Sequence, residues 1–254
     1  LKEHKSKGAE VMIALDVSNS MLAKDYSPNR LERAKLAISR LVDKLNGDRI
    51  GLVLFAGTSF VQLPITTDYV SAKMFLGNIS TESVPVQGTA MGDAINTCIR
   101  SFSAQSENSR AIVVITDGEN HEDDPLSAAK QAAEMGISVY TIGVGSSQGQ
   151  PIPMKDGLLK DSQGNIVVTK LDEATLKQVA QAGKGAYVHA GNDEFGLNPI
   201  IGNIRKLNDE EFNSIVFEEY DEQYMYFFAI ALVLLVVQML IGERKVFGNL
   251  FAKN

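Results

Sequence analysis

Val11-Met12-Ile13-Ala14-Leu15-Asp16-Val17-Ser18-Asn19-Ser20 is an apolar run that stops on an acid and continues into alternating hydroxyls. An unbroken apolar run of this length fits a short strand buried on both faces. Ala111 to Ile115 repeats the pattern and stops at Thr116-Asp117-Gly118. Two such strands, each ending in an acid, set the frame for the rest of the chain.

Outward from these runs, strands and helices alternate. Asn29 to Leu45 carries Leu31, Ala34, Ile38, Leu41, Val42 and Leu45 on one helical face. Asn29 with Glu32 three residues on fits a capping box, with Asn in place of Ser or Thr. Ile50 to Phe55 reads as a strand, and Ser59 to Leu63 pairs back on it through Ala56-Gly57-Thr58. Helices are expected at Asp68 to Leu76, Gly92 to Phe102, Pro125 to Met135 and Leu171 to Ala182, and strands at Ser138 to Ile142 and Ala186 to His189. This order predicts an α/β fold: a doubly wound, mostly parallel sheet with helices on both faces and Ser59–Leu63 as an antiparallel edge. Ligands of such sheets bind beyond the carboxyl ends of the strands, where Asp16 and Asp117 both fall.

The turn signals Asp156-Gly157 and Gln163-Gly164-Asn165, with the β-type run Ile166-Val167-Val168, predict a hairpin inserted over 151–170. It reads as a surface elaboration, or alternatively as a partner contact. Asn192 to Leu207 is expected to close the domain as a helix, so the domain spans 10–207, behind a lead at 1–9. An acidic connector, 208–223, follows.

Tyr224 to Ile241 is apolar except for Gln238. Eighteen residues span ~27 Å as a helix, close to the thickness of a bilayer's hydrocarbon. Tyr220, Tyr224 and Tyr226 mark one interface, and Arg244 and Lys245 the other. The expectation is a transmembrane helix at 224–241 and a short tail at 242–254. The basic tail favours a cytoplasmic C-terminus with the domain outside. Lys2, Lys5 and Lys7 argue the reverse if another span precedes Leu1, and because Leu1 is not Met the native chain is expected to start upstream.

The net charge of −7, with no Lys/Arg block in the body, argues against nucleic acid as a partner. The lone Cys98 can form neither an internal disulfide nor a cysteine-based zinc site, and reads as a small buried hydrophobe. No internal repeat or low-complexity tract is present.

Asp16, Ser18, Ser20 and Asp117, joined by Thr89 from Gln87-Gly88-Thr89, form an oxygen donor set for a hard cation, Mg²⁺ or Mn²⁺. Singly, each fragment is an ordinary helix cap or turn. Together they fall on loops that a parallel sheet gathers at one edge. Neutral hydroxyls leave charge on the ion and do not fill an octahedron. An Asp or Glu from another protein can complete it at ~2.0–2.1 Å. The expected rim of such a contact is Asn19, Met21, Gly88, Glu119 and His121. Met21 and Leu22 read equally well as the start of core packing. Glu119, His121, Glu122 and Asp123 read as a solvated loop beside the main site, with a second metal cluster as the alternative.

At these residues the chain resembles the von Willebrand factor type A family. The Asp-x-Ser-x-Ser, Thr and Asp of that family's metal-ion-dependent adhesion motif match Asp16, Ser18, Ser20, Thr89 and Asp117. The resemblance covers about Glu10 to Leu207 and implies a six-stranded sheet. It also implies that Ser18, Ser20 and Thr89 are direct ligands, with Asp16 and Asp117 acting partly through water. Met21 to Leu31, Gln62-Leu63-Pro64-Ile65-Thr66 and Thr116 to His121 further resemble the bacterial Bat (Bacteroides aerotolerance) group, nearest its BatB type. That likeness implies membrane helices before the domain, a periplasmic domain on the inner membrane, and three kinds of neighbour. Those are a MoxR-type AAA+ ATPase, a BatA-type protein and tetratricopeptide Bat proteins.

The function expected is therefore a membrane-anchored interaction module rather than an enzyme. The alternatives are a metal-dependent hydrolase and a metal-free scaffold. Phosphoryl-transfer enzymes of the haloacid dehalogenase kind need an acid two positions after the nucleophile, and Ser18 stands there. Gly143-Val144-Gly145-Ser146-Ser147-Gln148-Gly149 misplaces the third glycine of a dinucleotide fingerprint.

Overall fold

The computed structural model describes residues 8–45, 47–103, 108–119, 123–190, 200, 202–204 and 229–239. Its six-stranded sheet is built from β1 (Glu10–Asp16), β2 (Arg49–Phe55), β3 (Ser59–Thr66), β4 (Arg110–Thr116), β5 (Ile137–Gly143) and, last in the chain, a strand at Lys184–His189. Five helices accompany it: α1 (Arg30–Val42), α2 (Tyr69–Gly77), α3 (Met91–Ser101), α4 (Pro125–Glu134) and α5 (Glu173–Ala182). Short strands β6 (Gln150–Pro151), β7 (Pro153–Met154), β8 (Gly157–Leu158) and β9 (Val168–Thr169) precede α5, which makes the last strand β10. The sheet order is β10-β5-β4-β1-β2-β3. Only β3 runs antiparallel within it.

β1 is buried along its whole length, and alternate residues serve opposite layers. Val11, Ile13 and Leu15 pack with Leu31, Ala34, Ile38 and Leu41 of α1. Met12 and Ala14 pack with Met91, Ala94, Ile95 and Cys98 of α3 and with Ala128 of α4. The two-residue period of a strand thus splits one apolar run between two cores. Asn29 caps α1, its side chain accepting from Glu32 N at 2.8 Å. This N-cap starts the helix one residue later than the predicted segment.

The chain runs from β1 to β2 on one side and later places β4 on the other. The cleft between β1 and β4 is therefore the switch point of the sheet. Leu15 pairs with Ile115, which sets the next residues, Asp16 and Thr116, side by side at the carboxyl edge.

The expected single hairpin is instead two small antiparallel pairs, β6 with β9 and β7 with β8, with a bridge between Lys160 and Ile166. Pro151 and Pro153 lack N–H groups and interrupt a longer ladder. Within Asn192–Leu207, residues 202–204 are helical and the remainder of the predicted helix, apart from Ile200, lies outside the described residues.

The chain divides into two compact units, Leu1–Glu211 and Phe212–Asn254. In the second, residues 229–239 are helical, and Ile230, Leu232, Val233, Leu234 and Leu235 are exposed there. Among the described residues no helix is long and apolar enough to cross a membrane. The other residues of the expected span, with the lead before Gly8, the connector and the tail, lie outside the described residues.

Candidate metal centre

Asp16 ends β1 with both oxygens engaged. Ser18 N donates to Oδ1 at 2.8 Å, and the Thr116 hydroxyl donates to Oδ2 at 2.6 Å. The first bond folds the chain back after the strand, as an Asx turn does. The turn places the Ser18 and Ser20 hydroxyls 2.9 Å apart. Asn19 N donates to Gln87 Oε1 at 3.0 Å, tying this loop to Gln87-Gly88-Thr89. Thr89 is buried just ahead of α3, where Ala90 N reaches Ala56 O at the end of β2.

Asp117 follows β4 and is fully buried. Its Oδ2 accepts from Arg30 Nη1 at 2.9 Å and from the Thr169 hydroxyl at 2.9 Å. Its Oδ1 accepts a longer bond, 3.3 Å, from Glu119 N. The backbone bends sharply at Gly118, which has φ +82°. A Cβ there would meet Asp172 O at 2.8 Å, so glycine lets the Asp117 loop press against the start of α5. Asp123 then reaches to α3, accepting from Gly92 N at 3.0 Å and from Asp93 N at 2.6 Å. One loop thereby steadies the helix that Thr89 introduces.

The electrostatics are strained in one direction. Burial, and then the charge of Asp117, push the Asp16 carboxyl up to about 7, against the bonds from Thr116 and Ser18. Burial also raises Asp117, opposed by the Ser20 hydroxyl, Arg30 and Thr169. Two buried carboxylates thus face one another, and of the two only Asp117 is bonded to the Arg30 guanidinium, whose other face is held by Asp25. A divalent cation between hydroxyls and carboxylates relieves that repulsion, and this donor set fits a hard, oxygen-preferring ion. Among the described residues no cluster of three or more His, Cys, Asp or Glu is gathered for a metal. The donors here are instead hydroxyls set beside two acids.

Of the expected rim, Asn19, Gly88 and Glu119 are partly exposed beside the site. Glu119 is already engaged: one oxygen accepts from Lys170 N at 2.9 Å, and the other lies 3.0 Å from the Thr169 hydroxyl, whose single proton it shares with Asp117. Met21 is corrected: it is fully buried in the α1-side core, because the turn at Asn19–Leu22 points it inward. His121 and Glu122 lie outside the described residues.

Sequence reasoning missed Arg30, Asp25, Thr116 and Thr169. Arg30 left a signal, since it lies four residues before Ala34 on the apolar face of α1, where an unpaired charge is very costly. Thr169 left none, because only the folded insert carries it back to the sheet edge.

The von Willebrand factor type A domain profile matches residues 10–198. The chain is 51% identical to the conserved hypothetical protein BatB from Bacteroides thetaiotaomicron, covering 80% of this chain and 100% of that one at a TM-score of 0.77. It is 50% identical to an aerotolerance-related membrane protein from Bacteroides fragilis NCTC 9343, covering 78% and 100% at a TM-score of 0.76. An uncharacterized protein of Borreliella burgdorferi is 29% identical over 243 residues, 94% of this chain and 70% of that one. The chain spans only 58% of the next such relative, a UPF0353 protein of Mycolicibacterium gilvum. The fold alone is shared with proximal thread matrix protein 1 from the mussel byssus, 18% identical at a TM-score of 0.58 over 80% of this chain and 46% of that one, whose MIDAS motif is occupied by zinc. The switch-point acids, the hydroxyl turn and the profile match agree: this chain belongs to the von Willebrand factor type A domain family.

Proposed function

We propose that this chain is a membrane-anchored, metal-dependent protein-interaction subunit that captures an acidic side chain of its partner. The observation that carries the reading is the buried Asp16–Asp117 pair beside the touching hydroxyls of Ser18 and Ser20, at the carboxyl edge of the sheet. Ser18, Ser20 and Thr89 are the hydroxyls that would hold Mg²⁺ or Mn²⁺, with Asp16 and Asp117 supplying charge directly or through water. When bound, the ion supplies a Lewis-acid position that an incoming Asp or Glu can fill. The chain's own residues do the rest. Ser18 N and Thr116 orient Asp16, Arg30 and Thr169 orient Asp117, and Gln87 holds the Thr89 loop against the first turn.

The partners that fit are other Bat proteins, of the BatA and tetratricopeptide types, and a MoxR-type AAA+ ATPase, in an inner-membrane complex serving oxygen tolerance or envelope assembly. The domain would stand on the periplasmic side, with the C-terminal tail in the cytoplasm. The likeness to BatB and to a protein described as an aerotolerance-related membrane protein supports this reading, as does the exposed apolar helix at 229–239.

The test is a titration of a purified Bat partner against the chain in millimolar Mg²⁺ and again in excess EDTA. Binding is expected only with the metal, and Asp16→Ala is expected to abolish it. Equal affinity in both buffers overturns the proposal. Turnover of a generic aryl phosphate that depends on Asp16 would place the chain among hydrolases instead.

A further inference from the structure

The insert between β5 and α5 is a small ribbon anchored at both ends to the rim of the metal centre. At its base Thr169 turns inward and is buried, its hydroxyl accepting from Arg30 Nη1 at 3.1 Å and lying 2.9 Å from Asp117 Oδ2. At its tip Lys155 Nζ pairs with Glu82 Oε1 at 2.8 Å, just ahead of Gln87, which holds Asn19 N beside the Ser18 and Ser20 hydroxyls. Between these anchors β6 pairs with β9 and β7 with β8, while Leu159 N donates to Ile152 O and Val167 N to Leu159 O, both at 2.9 Å. Each limb of the ribbon is bonded to another, so it flanks the site as a shaped element rather than a loose loop.

Residues directly opposite in an antiparallel pair share a face, as do residues two apart in one strand. Pro151 lies opposite Val168, Pro153 opposite Leu158, and Lys160 opposite Ile166. These six therefore form one face. The other face is the one folding requires: Ile152 and Thr169 are buried, and Leu159 and Val167 half-buried. A solvent face is ordinarily polar. Here Leu158, Ile166 and Val168 are 42, 51 and 47% exposed, beside two prolines and a single lysine. Scattered exposed apolar residues need no explanation, but a contiguous set on a shaped element marks a contact surface.

The charge around this face identifies what covers it. Lys160 on the face and Lys170 after Thr169 are exposed, and neither pairs with a carboxylate among the described residues. Asp161, beside Lys160, turns back to accept from Gln163 N and Asn165 N at 2.8 and 2.9 Å. A basic border on a chain of net charge −7 is complementary to an acidic partner. Two copies meeting ribbon on ribbon would instead bring these lysines against like charge.

Resting on the metal-dependent capture of an acid proposed above, we propose that the outward face of the ribbon is a second docking surface for the same protein partner. The partner segment carries the Asp or Glu that reaches the ion and, a few residues away, aliphatic or aromatic side chains that cover Leu158, Ile166 and Val168, with further acids meeting Lys160 and Lys170. Val168 directly precedes the residue that touches Asp117, so a short extended stretch of the partner spans both contacts. The ion takes any accessible acid; the ribbon decides which acidic segment is held.

The experiment is isothermal titration of the full chain with a purified Bat partner in millimolar Mg²⁺, with Mg²⁺ alone titrated in parallel. Leu158→Thr, Ile166→Thr and Val168→Thr combined keep β-branched residues on exposed strand positions, so the Mg²⁺ Kd is expected to hold while the partner's Kd rises about tenfold. Lys160→Glu leaves the apolar residues in place and should raise the partner's Kd several-fold and weaken its dependence on salt. It carries the test if circular dichroism shows the triple variant unfolded. Partner binding that both variants leave unchanged, but that Asp16→Ala abolishes, overturns the ribbon's role and leaves the metal reading standing. A wild-type chain that binds no partner with or without Mg²⁺ overturns both. Self-association of the wild type in sedimentation, lost in the triple variant, would assign the face to a second copy and overturn the proposal. So would a blue shift of an environment-sensitive dye on Ile166→Cys, Cys98 being buried, when the chain alone is reconstituted in phosphatidylethanolamine–phosphatidylglycerol vesicles, since the bilayer would then cover the face.

Discussion

Replacing Asp16 with Asn should make the metal-free protein more stable at pH 8 and deprive it of any response to magnesium. Asp16 is fully buried, and its carboxyl is pushed up to about 7 from 3.8 by burial and by Asp117. Between pH 4 and 7 the folded chain holds a proton that the unfolded chain has released. Stability therefore falls as pH rises through that window and levels off above it. The distance from 3.8 to about 7 corresponds to roughly 4 kcal/mol of destabilisation at pH 8. Asn keeps an oxygen for Ser18 N but turns an amide N–H towards the Thr116 hydroxyl, reversing that bond at a cost of ~1 kcal/mol. The net expectation is a gain of roughly 3 kcal/mol at pH 8, shrinking to a small loss near pH 4.

The assay is urea unfolding in EDTA, followed by circular dichroism because the chain has no tryptophan, for both proteins across pH 4 to 8. Comparing the two proteins cancels the titration of carboxylates remote from Asp16, leaving Asp16 and the neighbouring Asp117 as the groups that differ. Magnesium at a hundred times its Kd should then stabilise wild type by about 2.7 kcal/mol and leave the variant unmoved. A variant less stable than wild type at pH 8 without metal would refute the argument that the Asp16 charge is uncompensated. Equal stabilisation of both proteins by magnesium would refute its place in the metal centre.

Three further outcomes follow from the geometry. Thr89→Ala removes a hydroxyl that makes no demand on the core, so the metal-free melting temperature should hold while the magnesium-induced rise shrinks; an unchanged rise would exclude Thr89 as a ligand. Asp123→Ala strips the acceptor from Gly92 N and Asp93 N and should cost ~1 kcal/mol in urea unfolding, with weaker magnesium binding measured by calorimetry because the helix after Thr89 loosens. Gly145→Ala forces a Cβ into the Arg30 guanidinium from a backbone angle that side chains avoid, and should cost ~1–3 kcal/mol; full stability there would show that the guanidinium is not boxed in.

The burial of Met21 shows how far the sequence could be read around the site. Asp-x-Ser-x-Ser fixes which side chains leave the strand, but not the tightness of the turn that follows. The Asn19–Leu22 turn swings Met21 into the core. Glu119 was legible as an acid near the rim, yet its bonds to Thr169 and Lys170 come from an insert fifty residues on, which no local pattern reports.

What the sequence determined by itself was the alternation of strands and helices, the α1 face of Leu31, Ala34, Ile38 and Leu41, and the ligand set Asp16, Ser18, Ser20, Thr89 and Asp117 as candidates. The alternation and the helical face are encoded in periodicity and Asp-x-Ser-x-Ser in a short spacing, while Thr89 and Asp117 joined it through their places at a helix start and a strand end and through the family resemblance. Only the tertiary structure decided that Asp16 and Asp117 share one buried space, that Arg30 reaches across to one of them, and that Thr169 returns to cap it. Those depend on register between β1 and β4 and on the path of a loop, and both are set by packing over the whole sheet rather than by any neighbour in sequence.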